Sequence, residues 1–490
     1  MPNNRGPSKG CSRCRKLKVK CDEDKPSCQR CHKGGRDCVY GTDFDRLHRD
    51  QNSKAQSIAT SKWRQRAGIR INLPVQEHPD DSLAQRAYNR FCYDFMTVYP
   101  GVIGRLPALL EDTADDSCLF TVVRALAYAN YHGRFGSEDA HQASRMHYGQ
   151  ALQQLVMVMT VPDEMQKDDS LMVIFLFGLY EMFTSSTRDG SWITHMKGTQ
   201  SVVAQRATSS TRLMEDSNYL SVLCSHLVVY YLTEKKTPPP DLDLWIQQIP
   251  FENEAKKHLI LLMSEAAGMC AKLSSNNGFK SLEDQTDLEI FHECLELDLR
   301  LDTFCTNTDP NWNNVAQSPI SHINRPNWST ELLSGPGAPE KMYSYTNRLA
   351  ASKWNMSRST RIRLNLALLD FLHKRPFMQP QFETAALRAR MVDLLSSLTD
   401  EISYTIPDAL AMSFDGSSDF ESVDKIPTLW AYMVLWPAYT SFECLNHRLV
   451  KGENTREKAI WFRKVLTFLR ETIGIAKAKI MIEESETQGL

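Results

Sequence analysis

Residues 10–40 read GCSRCRKLKVKCDEDKPSCQRCHKGGRDCVY, and six of the chain's thirteen cysteines fall among them: Cys11, Cys14, Cys21, Cys28, Cys31 and Cys38. The spacing is C-x2-C-x6-C, repeated once after a gap of six residues. The other seven cysteines are scattered and form no C-x2-C pair. Such a pair lets two thiolates grip one ion from a single turn, and zinc takes four ligands in a tetrahedron with sulfur at about 2.3 Å. Six thiolates cannot fill two separate tetrahedra, but they complete two when two sulfurs are shared. The first cysteine of each half is placed to bridge. The expected assignment puts Cys11 and Cys28 on both zinc ions, Cys14 and Cys21 on one, and Cys31 and Cys38 on the other. A single zinc with two spare thiols, or a disulfide knot, would draw on the same residues. The knot suits an oxidising compartment, and the polar first ten residues carry no apolar run of a secretory signal. Besides cysteine, the segment's apolar side chains are Leu17, Val19, Val39 and Tyr40, too few for a core. Metal binding must therefore supply its folding free energy.

Charge points to a partner. Arg13, Arg15, Lys16, Lys18 and Lys20 crowd the first half with no acid among them, whereas the second half mixes Arg30, Lys33 and Arg36 with Asp37. Residues 1–70 hold 18 Lys+Arg against 7 Asp+Glu, and the rest of the 490-residue chain holds 39 against 52. A small basic module joined to a larger, mildly acidic body suggests that the module meets nucleic acid. A short helix held by the first zinc can enter the major groove, where lysine can donate to guanine O6 and N7.

This stretch resembles the fungal binuclear zinc-cluster DNA-binding domain, whose pattern it matches at every cysteine and at Arg15, Lys18, Lys20, Asp22 and Pro26. The resemblance implies a zinc-dependent, sequence-specific transcription factor for RNA polymerase II, acting in the nucleus on double-stranded DNA. It implies CGG-type triplets as the target, with Lys18 reading bases. Arg13, Arg15, Lys16 and Lys20 are then phosphate contacts, which position without specifying. Many members carry a second lysine where this chain has Leu17, so base readout is expected to be thinner or differently placed. That departure keeps an alternative open: an adaptor or co-repressor that retains the zinc fold and acts by protein–protein contacts. Pro26 is expected to shape the loop between the halves.

Beyond the module, residues 43–82 read as a polar linker that sustains no heptad pattern. Residues 83–485 read as a large all-α domain, giving a mainly α chain with a zinc-cluster module at residues 8–42. Helices are expected over 142–159, 171–183, 192–206, 218–232, 258–273, 359–374, 385–404 and 459–482. Asp168, Asp169 and Ser170 are N-cap candidates for the second of these. Irregular breaks are expected at Pro238-Pro239-Pro240, at 307–328 and around 334–339. No apolar run reaches the roughly 18 residues needed to span a bilayer.

The large region resembles the type 2 fungal-specific transcription factor domain. The resemblance rests on Tyr148-Gly149-Gln150-Ala151-Leu152, Leu179-Tyr180-Glu181, Trp192 to Gly198 with His195, Trp354-Asn355 with Arg358, and Leu435-Trp436-Pro437. It implies a regulatory role. Trp192 and Trp354 are expected as core anchors, and Glu181 as a partner of an arginine or a helix cap, since an unpaired buried carboxylate is costly. A cavity for a small-molecule effector is the sharper expectation for such a domain. No G-x-G-x-x-G, G-x-x-x-x-G-K-[ST] or H-E-x-x-H occurs, so no enzyme is expected. The acidic segment 413–424, with Phe414 and Phe420, reads as a surface loop or an activation segment. A homodimer through the large domain and contacts with transcriptional co-regulators stay open.

Overall fold

The computed structural model describes residues 10–40 (except 12, 15, 16 and 39), 82–96, 102–111, 113–161, 167–185, 191–208, 217–249, 251, 253–275, 284–307, 315–322, 325–345, 348–374, 384–412 and 422–488. The chain divides into two units, the first ending at Asn72 and the second beginning at Leu73.

Side chains at four positions set where helices begin. In the first unit Cys28 opens α1 (Gln29–Lys33), its thiol accepting from the Cys31 N–H at 3.4 Å. In the second, Ser82 opens α2 (Leu83–Phe91). After α3 (Leu106–Glu111), Ser117 opens α4 (Cys118–Phe135) and Ser137 opens α5 (Glu138–Met159). Each hydroxyl accepts from an N–H three residues on, at 3.3, 3.1 and 3.3 Å. A cap of this kind is worth about 1 kcal/mol.

The next helix, α6 (Asp168–Thr184), is buried at every position from 170 to 183. A helix that is apolar all round has no face for water, so it lies inside. Its N-cap is Lys167, which makes no side-chain cap bond, so the expected capping by Asp168, Asp169 or Ser170 is corrected. The helix starts three residues before the expected 171, and both acids fall in its first turn, where the helix dipole favours negative charge.

Then follow α7 (Ser191–Thr208), α8 (Ser217–Glu234), α9 (Leu242–Gln248), α10 (Glu254–Ser275) and α11 (Asp284–Asn307). Strand β1 (Val315–Pro319), α12 (Thr330–Leu333) and β2 (Lys341–Tyr345) come next. The last helices are α13 (Arg348–Lys374), α14 (Thr384–Ala409), α15 (Thr428–Asn446), α16 (Glu453–Glu471) and α17 (Lys477–Gln488). Helix α13 packs against α10, α11, α14 and α15, so it runs through the middle of the C-terminal half. No helix among the described residues is long and apolar enough to cross a membrane.

Three expectations change. Helix α13 begins at Arg348 rather than at residue 359, because tertiary burial of Ala350, Ala351 and Asn355 extends it past its apolar-periodic part. The expected helix 459–482 is two helices. Between them Gly474 takes φ +88° and passes so close to Gly133 that a Cβ would sit 2.3 Å from the Gly133 carbonyl carbon. The expected break at 307–328 contains β1, which pairs antiparallel with β2 from Val315↔Tyr345 to Pro319↔Lys341. Neither strand alternates strongly, so only the distant partner reveals the pair.

A buried ionic cluster ties the start of this unit to its last third. Asp94, fully buried in the π-helical turn Cys92–Met96, accepts from Arg90 Nε at 2.7 Å and Arg90 Nη2 at 2.8 Å. It also accepts from Asn130 Nδ2 at 2.7 Å and the Thr428 N–H at 3.0 Å, with Arg134 Nη2 at 3.5 Å. Burial alone would raise the Asp94 carboxyl; Arg134 and Arg90 outweigh it and hold the group below the usual range. Burial pulls Arg134 down to about 10, so both members stay charged at neutral pH.

Candidate metal centre and nucleic-acid interface

Residues 11–38 are built twice from one plan, with a shift of 17 residues. In each half the second cysteine's N–H points at the first cysteine's sulfur, Cys14 to Cys11 and Cys31 to Cys28, both at 3.4 Å. The N–H of the first cysteine points at the sulfur of the third, Cys11 to Cys21 at 3.5 Å and Cys28 to Cys38 at 3.2 Å. Each half then closes its helical turn with a bond spanning five residues, from Val19 N–H to Cys14 O and from Arg36 N–H to Cys31 O, both 3.0 Å. That closure places one residue in the left-handed region just before the donor. Glycine is the usual occupant, and Gly35 takes it at φ +55° in the second half. In the first half the occupant is Lys18, at φ +54°.

The sulfurs converge. Cys11, Cys14, Cys21 and Cys28 form one quartet and Cys11, Cys28, Cys31 and Cys38 another, with all sulfurs of a quartet within 4.8 Å of one another. Cys11 and Cys28 belong to both. The Cys11–Cys28, Cys11–Cys31 and Cys14–Cys28 sulfurs lie 3.8, 3.8 and 3.9 Å apart. A tetrahedron with 2.3 Å arms has edges of about 3.8 Å, so the donor set fits two zinc tetrahedra sharing an edge. A disulfide needs sulfurs about 2 Å apart, and all six cysteines are free thiols here. Burial and neighbouring thiols push the Cys14 thiol up to about 12. At Cys21 burial is outweighed by N–H donors of Cys11 and Glu23, which leave it at about 7. A bound cation reverses the first effect, because a coordinating thiol is deprotonated outright.

The rest of the module braces this cluster. Val19 and Tyr40 pack on the sulfurs. In the loop between the halves, Asp22 Oδ1 accepts from the N–H of Asp24 at 3.2 Å and of Gln29 at 3.0 Å. Tyr40 Oη donates to the Asp24 carbonyl at 2.9 Å. Pro26 sits in that loop after a cis peptide bond. The bracing by Asp22 and Tyr40 escaped the sequence reading; its one local sign was the acid next to Cys21.

The cations are placed differently in the two halves, with Arg30, Lys33 and Arg36 exposed on the second. Arg13, Lys18 and Lys20 are exposed on the first half; Arg15 and Lys16 lie outside the described residues. The 17-residue shift maps Lys18 onto Gly35 and Lys20 onto Asp37, so the second half offers a bare turn and a carboxylate where the first offers two ammonium groups.

In the helical unit three of the sequence motifs meet. Tyr148 from α5 donates to Glu181 Oε1 of α6 and lies 3.2 Å from His195 Nε2 of α7. The His195 ring stacks on Phe177 at 5.5 Å, and its Nε2 is 3.7 Å from Glu181. Glu181 thus meets a tyrosine and a histidine. Trp354 is half-buried rather than a core anchor; it underlies the Arg358 guanidinium at 5.0 Å. Arg358 in turn reaches Glu401 at 2.8 Å and Tyr345 at 3.1 Å, tying α13 to α14 and β2. The Trp192 side chain and residues 413–421 lie outside the described residues. A half-open cavity of about 560 Å³ lies among α15, α16 and α17, lined by Phe442, Leu445, Ile460, Arg456 and Arg463 among others.

Comparison with known proteins agrees with this geometry. The family model described as the fungal Zn(2)-Cys(6) binuclear cluster domain matches residues 9–47. The model described as the fungal specific transcription factor domain matches residues 88–400. A curated relative, the Zn(2)-C6 fungal-type transcription factor afumD of Aspergillus fumigatus, is 58% identical over 31 residues, or 6% of this chain. The match spans only 8% of that protein's length. No solved structure matches the chain. With a cluster domain for two zinc ions at its start and the fungal specific transcription factor domain over most of the rest, the chain belongs to the fungal Zn(2)-Cys(6) transcription factors.

Proposed function

We propose that the chain regulates RNA polymerase II transcription in the nucleus by zinc-dependent, sequence-specific binding to double-stranded DNA carrying CGG-type triplets. Residues 8–42 are the DNA-binding module, 43–82 the linker and 83–485 a regulatory, non-enzymatic body. Cys11 and Cys28 bridge two zinc ions, Cys14 and Cys21 complete one, and Cys31 and Cys38 complete the other. Lys18 reads bases, while Arg13, Arg15, Lys16 and Lys20 hold phosphates. The observation that carries this is the asymmetry of two halves with one sulfur plan, with exposed cations at 18 and 20 against glycine and aspartate at 35 and 37.

A gel-shift assay of the zinc-loaded chain on CGG-bearing and scrambled duplexes tests the proposal. Lys18→Ala is expected to cost about 1–3 kcal/mol on the preferred duplex and to relax sequence preference. Arg13→Ala is expected to weaken all duplexes alike and to flatten the salt dependence. Equal binding to scrambled duplexes by the unaltered chain would favour the adaptor, for which the 57% exposure of Leu17 is the one supporting observation.

A further inference from the structure

The module has almost no apolar side chain to spare, yet it leaves one in water. Val19 and Tyr40 pack on the sulfur cluster, whereas Leu17 is 57% exposed and takes no part in that packing. Its position is well defined by the backbone. The Leu17 N–H donates to the Arg13 carbonyl at 3.0 Å, so Leu17 stands in the last helical turn, and Lys18 turns left-handed directly after it. Arg13 and Leu17, four residues apart with that bond between them, share a helix face. The apolar side chain therefore stands on the same short surface as exposed Arg13 and next to exposed Lys18. In the other half the equivalent position is Gly34, so the cluster fold does not need a side chain there.

A side chain so placed would reach the major groove together with its cationic neighbours. The edges of the bases offer one apolar group in that groove, the C5-methyl of thymine. We propose that Leu17 is a specificity-determining residue that packs on a thymine methyl beside the bases met by Lys18. The site therefore extends beyond a plain guanine–cytosine triplet to include a required thymine. Leu17 then strengthens base selection by apolar contact where a lysine would have added a hydrogen bond. This inference rests on the DNA-binding reading above.

The test uses the full chain loaded with zinc. Sites are first selected from random duplexes, and each thymine of the selected site is then replaced singly by uracil, which removes only the methyl group. Unaltered protein is expected to lose about fourfold in affinity at one position, the worth of one buried methyl, and no more than marginally elsewhere. Leu17→Ala is expected to bind the thymine and uracil duplexes equally while keeping its two zinc ions. Cytosine at that position should bind weakly, and 5-methylcytosine should recover part of the loss for unaltered protein alone. Selection of a defined site with no position sensitive to uracil would overturn this inference and leave the DNA-binding reading intact. So would Leu17→Ala discriminating uracil as well as unaltered protein does. Failure to select any site would overturn both and assign exposed Leu17 to a protein partner.

Discussion

In the metal module the deepest residues are Cys11, Cys14, Cys28 and Cys31; in the helical unit they are Trp461, Phe91, Phe95, Phe177 and their neighbours. The two cores differ in what makes them cohere. Hydrocarbon side chains leave water spontaneously, so the helical unit carries its own driving force. Six sulfurs have no such tendency, and as thiolates they repel one another until a cation joins them. The units should therefore fail under different treatments, and each failure should leave the other unit standing.

The largest expected effect is on the module. Chelation should take zinc from two per chain to none and lower sequence-specific DNA binding by more than about a hundredfold. The thermal unfolding of the helical unit should not move. Metal analysis, gel shift and circular dichroism follow the three quantities; a melting transition that falls with the metal would mean the two cores are coupled. The sharing of sulfurs sharpens the comparison. Cys28 belongs to both quartets and Cys38 to one. Cys28→Ser should release both zinc ions, while Cys38→Ser should leave close to one. Equal loss from both variants would refute the bridging assignment.

The next effect runs the other way. Asp94→Ala leaves Arg90 and Arg134 buried without their shared carboxylate. Breaking a buried ion pair from one side costs about 3–5 kcal/mol. Denaturant unfolding should register that loss in the helical unit, with zinc content and binding by folded protein unchanged.

The smallest is a pH effect confined to the same unit. His147 is buried and stacks on Tyr128 at 5.7 Å. Burial, with a smaller push from Arg124, lowers its pKa from 6.5 to about 4. The unfolded chain therefore takes up a proton that the folded one refuses. Stability is full above pH 6.5 and falls as pH drops towards 4, by about 2 kcal/mol at pH 5 from this group. His147→Phe should flatten that part of the profile; an unchanged slope would show that other groups set it.

Most of the helices were legible because apolar periodicity is a local property. The run 171–183 is buried at every residue, as its apolar character on all sides required, with Glu181 its one charged member. Residues 142–159 and 258–273 fall within α5 and α10. Helix α4 went unassigned in the sequence, although Ser117 caps it and Gly136 closes it. The break at Gly474 was missed for a different reason. A glycine inside a helical pattern is common, and only the approach of Gly133, over 300 residues earlier in sequence, makes this one obligatory. Likewise Tyr148, Glu181 and His195 were each noticed, but their meeting depends on how α5, α6 and α7 pack.

The amino-acid sequence by itself determined the donor set of the metal centre, the basic bias of its first half and the helical character of the large unit. Each of these depends on residue type and on spacing along one short segment. Only the tertiary structure decided that Lys18 occupies a left-handed turn, that Leu17 is left in water, and which buried charges hold distant helices together. These depend on distances between atoms far apart in the chain, and such distances arise only when the backbone has closed on itself and every buried polar group has found its partner.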